Sequence, residues 1–168
     1  MLYANLAYVL VDGKILMMNK DVRDDDPNSG YHTLPGGKLE EDEMGGNPQG
    51  RLEAVVREVG QETGKVLLDP VLSGVILFDN SERIFPGGKK LDNYLVYVYR
   101  ATRTTGRMFG KSKEGIPYLL DKSKLRNVPQ NPGDKIMYGW IEDGRNFFGV
   151  IKHVGDKVDV NGTFVDYL

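Results

Sequence analysis

Apolar residues along most of the chain alternate with polar ones or come in short blocks, the pattern of strands, and two stretches repeat at helical spacing instead. Residues 2–11 and 14–19 are β-rich runs around Asp12-Gly13, a strong signal for a two-residue hairpin turn. Residues 21–30 are acidic and turn-rich, a solvated loop to which no chemistry is assigned. A short run at 31–34 precedes Pro35-Gly36-Gly37. Asn47 is a good helix cap, Pro48 suits the first helical position, and Gly64 suits the position just past the end, so a helix is predicted over 48–63. Its buried stripe is Leu52, Val55, Val56 and Val59. Residues 66–78 and 91–100 are β-branched and aromatic, hence strands, with a loop containing Pro86-Gly87-Gly88 between them. A short strand at 117–120, a second helix over 134–143 started near Pro132, and β structure with turns over 147–153, 157–160 and 163–167 complete the pattern.

Composition narrows the class. A chain of 168 residues with 40% hydrophobic and 27% charged positions can bury a genuine core, and it shows no repeat or linker, so one domain over 1–168 is expected. A net charge of -2 provides no global positive field, so no extended nucleic acid is expected as partner. The absence of cysteine excludes disulfides, thiolate metal sites and cysteine nucleophiles, and fits a cytoplasmic location. The longest apolar runs fall well short of the roughly 18 residues of a membrane helix, and neither a signal peptide nor a membrane partner is expected.

The informative stretch is 36–64. On a helix, Glu58, Gln61 and Glu62 stand at i, i+3 and i+4 and share a face about a quarter-turn from the valine stripe. Hard divalent cations take several oxygen ligands, and magnesium keeps some positions for water and substrate phosphate. Two carboxylates and an amide facing an acidic, glycine-rich loop (Glu40 to Glu43) supply such a set. Hydrolysis of a phosphoanhydride needs charge neutralised on phosphate oxygens, an activated water, and in-line placement, all of which metal on carboxylates provides. An unliganded carboxylate takes the water's proton, Glu43 or, on the family resemblance below, Glu114, and the sequence does not choose between them.

Gly37 to Glu43, followed by Arg57-Glu58-Val59-Gly60-Gln61-Glu62-Thr63-Gly64, resembles the box of the Nudix hydrolase family, G-x5-E-x7-R-E-U-x-E-E-x-G-U, where U is bulky and apolar. Six extra residues separate Glu43 from Arg57, Gln61 stands in place of a glutamate, and Lys65 takes the last apolar position. The extra residues fall in a turn-prone stretch, where insertion costs little. Beyond the box, the order of elements, Lys113-Glu114-Gly115 and Asn131-Pro132-Gly133-Asp134 are similar to the MutT-type branch, which removes oxidised purine nucleoside triphosphates.

The resemblance implies an α/β fold, a Nudix-type α/β/α sandwich with a mixed β-sheet. It also implies cleavage of a nucleoside triphosphate, an oxidised purine nucleotide among the candidates, to monophosphate and pyrophosphate. Other nucleoside diphosphate derivatives (ADP-ribose, a nucleotide sugar, a dinucleoside polyphosphate, capped RNA) and a catalytically weak binding module are the alternatives. By position, Glu58, Glu62, Gln61, Glu114 and the Gly36 carbonyl would hold Mg2+ or Mn2+. Arg57 would orient the box carboxylates, and catalytic roles would fall to Glu58, Glu62, Glu114, Arg57 and Glu43. Gly37, Lys38, Asp134 and His32 are the candidate contacts to a small nucleotide substrate. In that branch the turn before the second helix often carries a tryptophan and two aspartates that read the purine. Asn131 and Gly133 replace the first two, leaving Asp134, which also suits a helix cap. His153 and Trp140 read as core.

Overall fold

A computed structural model describes residues 1–23, 28–44, 47–84, 88 and 90–168. The chain opens with the expected hairpin, β1 (Leu2–Val11) and β2 (Lys14–Lys20). Its turn places both Asp12 (φ 52°) and Gly13 (φ 76°) in the left-handed region, as a type I′ turn requires. Short strands β3 (His32–Thr33) and β4 (Gly36–Lys38) follow, then a 3-10 turn at Glu41–Glu43 and helix α1 (Pro48–Thr63). The ends of α1 are made as the sequence predicts. The Asn47 side chain accepts from the Gly50 amide at 2.9 Å, and Gly64 closes the helix at φ 81° with its amide donating to the Gly60 carbonyl.

The next predicted strand is two. Asp69 adopts φ 50° and Pro70 has no amide hydrogen, so the chain breaks into β5 (Val66–Leu68) and β6 (Val71–Arg83). Strand β6 also runs past its predicted end, through the polar segment Asp79 to Arg83. There follow β7 (Tyr94–Ala101), β8 (Arg103–Thr105) and β9 (Gly115–Leu120). After a 3-10 segment at Lys122–Asn127 come α2 (Pro132–Asp143), β10 (Phe147–Gly155), β11 (Lys157–Val158) and β12 (Phe164–Tyr167). Residues 24–27 of the acidic run and Pro86 and Gly87 of the Pro86-Gly87-Gly88 loop lie outside the described residues.

Strands β4, β1, β7, β6 and β10 lie side by side in a mixed sheet, with β1–β7 and β6–β10 parallel and β4–β1 and β6–β7 antiparallel. The far end of β1 pairs with β2, which pairs in turn with β3 and β9. Alternation along β1 sends Ala7 and Val9 to one face and Tyr8 to the other. On the first face Val55 and Val59 of α1 pack with Ala7, Val9, Leu67 and Tyr99. On the second, Met137, Tyr138 and Ile141 of α2 pack with Ile76, Val98, Phe147 and Ile151. Helices thus cover both faces of the mixed sheet in an α/β/α sandwich. Among the described residues no helix is long and apolar enough to cross a membrane.

Candidate active site

The site forms where α1 meets β4. Strand β4 runs so close to β1 that a side chain at Gly36 would place its Cβ 2.1 Å from the Asn5 carbonyl oxygen. Glycine is therefore required there, and the Gly36 amide is left to donate to Glu62 Oε2 at 3.3 Å. A Cβ at Gly37 would lie 2.7 Å from Glu58 Oε2, so Glu58 lies directly against this strand. From Glu58, four residues along the helix turn Glu62 about 40° to one side and three residues turn Gln61 about 60° to the other. Glu62 consequently points inward and is 3% exposed, whereas Gln61 is exposed on the far side.

A cavity of about 490 Å³ opens over these residues. At one end stand Glu58, Glu62, Glu114, Lys20, Arg23, Gly36, Gly37 and Lys38. Pairing of β2 with β9 aligns Lys20 with Gly115 and so brings Glu114 beside Lys20. The Lys20 ammonium donates to Glu62 Oε1 at 3.2 Å and lies 3.6 Å from Glu114 Oε2, with Arg23 3.9 Å from Glu114. Burial pushes the Glu62 carboxyl up to about 7, against the opposing pull of Lys20 and the Gly36 amide. Glu58 is held by the Arg57 guanidinium at 3.3 Å. Arg57 is held in turn by Glu43, whose other oxygen accepts from the Glu40 amide at 2.8 Å. That hydrogen bond with Arg57 draws the Glu43 carboxyl below the usual range.

Phe78, Asn80, Arg83, Asn131, Asp134 and His153 line the other, deeper end. The extension of β6 carries Asn80 and Arg83 there, because parallel pairing with β10 continues through Asp79↔Lys152 and Arg83↔Gly155 and supplies hydrogen bonds to a polar segment that reads as loop. Arg83 donates to Asn131 Oδ1 at 2.7 Å, and Asn131 Nδ2 donates to Asn28 Oδ1 at 2.6 Å. Asn131 stands at the cap position of α2 but makes no capping bond with its side chain, having spent it on these partners. Asp134 lies in the first turn of the helix rather than at its cap, and burial pushes its carboxyl up to about 7, with Arg83 pulling the other way.

His153 stacks on Phe78 with the rings 6.3 Å apart and 10° from parallel. Its Nδ1 is 3.0 Å from Asn80 Oδ1. Asn80 uses its own amide nitrogen on the Asp92 carbonyl at 2.9 Å, so Nδ1 is the protonated nitrogen and Nε2 the bare one. Burial, reinforced by Arg83, pushes the imidazole down to about 4.

Not every expected site residue stands on the cavity wall. Gln61 does not line the cavity with Glu58 and Glu62, for the helical reason above. His32 bonds the Tyr118 hydroxyl at 2.6 Å and packs edge-on against that ring, away from the cavity wall. Glu43 lies behind Arg57 and also off the wall, so of the two proposed proton acceptors only Glu114 faces the cavity. His153 is not merely core, and the loop after β2, assigned no chemistry, contributes Arg23 and Asn28. Lys20, Asn80 and Arg83 have no local motif to announce them, whereas Asn131 belongs to the Asn131-Pro132-Gly133-Asp134 turn singled out by the sequence.

The NUDIX domain model matches residues 3–140. The chain belongs to the NUDIX domain family. A curated relative, the uncharacterised Nudix hydrolase YvcI of Bacillus subtilis, is 30% identical over 134 residues, covering 80% of this chain and 75% of that protein. Among solved structures, a mutator MutT protein of Bacillus halodurans superposes with a TM-score of 0.77 at 24% identity, covering 99% of this chain and 98% of that one. The NUDIX domain of Shewanella oneidensis NrtR, crystallised with ADP ribose, gives 0.62 at 14% identity over 85% and 87% of the two chains. As a Nudix hydrolase, the protein acts on phosphorus-containing acid anhydrides.

Nudix hydrolases generally use divalent metal ions. Among the described residues no three carboxylate or imidazole side chains are gathered into a ready-made cage. The donor chemistry nevertheless fits one. Glu58, Glu62 and Glu114 share the cavity wall, and the Lys20 ammonium already stands as a cation between the last two.

Proposed function

We propose that this Nudix hydrolase cleaves a nucleoside triphosphate to the monophosphate and pyrophosphate, with an oxidised purine nucleotide as the first substrate to try. The observation that carries this reading is a single cavity with two chemically different ends. Carboxylates and cations at one end suit a metal-bound polyphosphate, while a stacked aromatic pair and buried hydrogen-bonding groups at the other suit a planar, polar base.

Glu58, Glu62 and Glu114 would hold Mg2+ or Mn2+, which would neutralise phosphate charge and acidify a water. Arg57, fixed by Glu43, orients Glu58. Water attacks a phosphorus, the bond to the bridging oxygen breaks, and the water's proton passes to a carboxylate. Glu114 is favoured over Glu43 because it faces the cavity and is partly open to solvent. Lys38 and Arg23, both exposed at the cavity rim, contribute positive charge beside the phosphates, and Gly37 lets the chain approach them. Asp134 and Arg83 meet the edge of the base.

The test is a panel of canonical and oxidised nucleoside triphosphates, ADP-ribose, nucleotide sugars, dinucleoside polyphosphates and capped RNA, each with Mg2+ or Mn2+, scored for phosphate and pyrophosphate. Pyrophosphate release that is fastest from a nucleoside triphosphate supports the proposal. Preference for ADP-ribose or another diphosphate derivative refutes it, and tight binding without turnover of any substrate would assign a binding module instead.

A further inference from the structure

Glu58 and Glu62 are each attended by a cation, but the two cations are held differently. Arg57 is anchored from behind by Glu43. The ion pairs of Lys20 among the described residues are with Glu62 and Glu114 alone, and its side chain, 11% exposed, fills the space between them. Glu62 is almost fully buried, and a buried carboxylate requires a compensating charge. One amide, from Gly36, reaches its second oxygen.

An ammonium offers three donors and no lone pair, so it can bridge two carboxylates but cannot itself bind a metal ion. Its distances of 3.2 and 3.6 Å are those of an ion pair, whereas magnesium draws its oxygen ligands to roughly 2.0–2.1 Å. Two carboxylates that close to that range leave no room for the ammonium between them, and like charges oppose its staying. A lysine, with a flexible stem and a point charge, can move away from such a position, unlike a guanidinium locked on both sides.

We propose that Lys20 is a built-in surrogate cation: it holds Glu62 and Glu114 together while no metal is present, and withdraws when a divalent ion binds, so that its side chain sets the metal affinity. The inference rests on the reading of Glu58, Glu62 and Glu114 as metal ligands. Lys20 is on this view a positioning residue that acts through the two carboxylates.

The experiment uses wild-type protein stripped of metal and titrated with Mn2+. Binding is followed by calorimetry, and Lys20 is followed by its rate of modification with an amine-reactive reagent, read by mass spectrometry against the exposed lysines Lys122 and Lys135. Mn2+ saturation is expected to raise Lys20 modification about tenfold while the two reference lysines hold constant, as a population shift from covered to open demands. Binding of Mn2+ with no rise at Lys20 overturns the displacement and leaves the metal ligands standing. Failure of wild type to bind Mn2+ overturns both. A second arm measures Lys20→Met, in which Mn2+ should bind about tenfold more tightly for want of a competing charge-assisted pair. Unchanged or weaker Mn2+ affinity in that variant overturns the proposal, and the labelling arm stands whether or not the variant folds.

Discussion

Replacing Asp134 with asparagine should change how stability depends on pH, because this carboxyl is buried in the deep end of the cavity and burial pushes it from 3.8 up to about 7. The folded state then holds a proton that the unfolded chain has released throughout the interval between those values. The stability that Asp134 contributes is fully present below pH 3.8 and is lost as pH rises to about 7. Each pH unit over which the two states differ by one proton is worth about 1.4 kcal/mol, so the interval amounts to about 4 kcal/mol. An asparagine amide does not titrate. Whatever the stability of Asp134→Asn at pH 4, it should therefore gain about 3 kcal/mol on wild type between pH 4 and pH 7 and level off within about one pH unit above that.

Urea unfolding of metal-free protein at half-unit pH steps, read by the fluorescence of the single tryptophan, Trp140 on the same helix, measures the gap directly. Taking the difference between variant and wild type cancels the titration of Glu62 and His153, which is common to both. A gap that stays constant within about 1 kcal/mol from pH 4 to pH 8 would refute the reasoning, since a carboxylate fully compensated by Arg83 is ionised in both states and leaves no such signature.

Four other outcomes are expected. Glu58→Gln and Glu62→Gln should each lower kcat by about two to three orders of magnitude while the requirement for a divalent metal persists, and near-normal turnover in both would show the phosphate end to be misplaced. Gln61→Glu, on the exposed side of α1, should change kcat/KM by no more than about twofold; a tenfold change would bring residue 61 back into the site. Gly36→Ala should cost about 3 kcal/mol or more in urea unfolding, because its Cβ meets the Asn5 carbonyl, and a loss under about 1 kcal/mol would contradict that packing. His153, pushed from 6.5 down to about 4, has the opposite sign to Asp134: the unfolded chain takes the proton first, so wild type should lose about 3 kcal/mol relative to His153→Phe as pH falls from 6.5 to 4, and parallel profiles would argue against a neutral buried imidazole.

Local rules acting within a few residues made much of this protein legible from its sequence alone. Asp12-Gly13 dictated a type I′ hairpin because few other pairs accept two positive φ angles, and Asn47, Pro48 and Gly64 bounded α1 because each satisfies or ends the helical hydrogen-bond ladder at its own position. The spacing of Glu58 and Glu62 put both on one helical face before any neighbour was known. Which side of that face turned inward was a tertiary matter. Strand β4 packs against Glu58 and Glu62 and leaves Gln61 outside, and the sequence spacing of three carries no information about where β4 lies.

The same holds for the rest of the cavity. Lys20 meets Glu114 only because β2 pairs with β9, which lies far along the chain, and Asn80 and Arg83 lie in a strand only because β10 arrives beside them. His153, unremarkable within its own segment, reaches the cavity through that same parallel pairing. Strand propensity reflects the fit of a residue to its partners more than any preference of its own backbone, so a polar run such as Asp79 to Glu82 reads as loop until the partner that completes its hydrogen bonds is present.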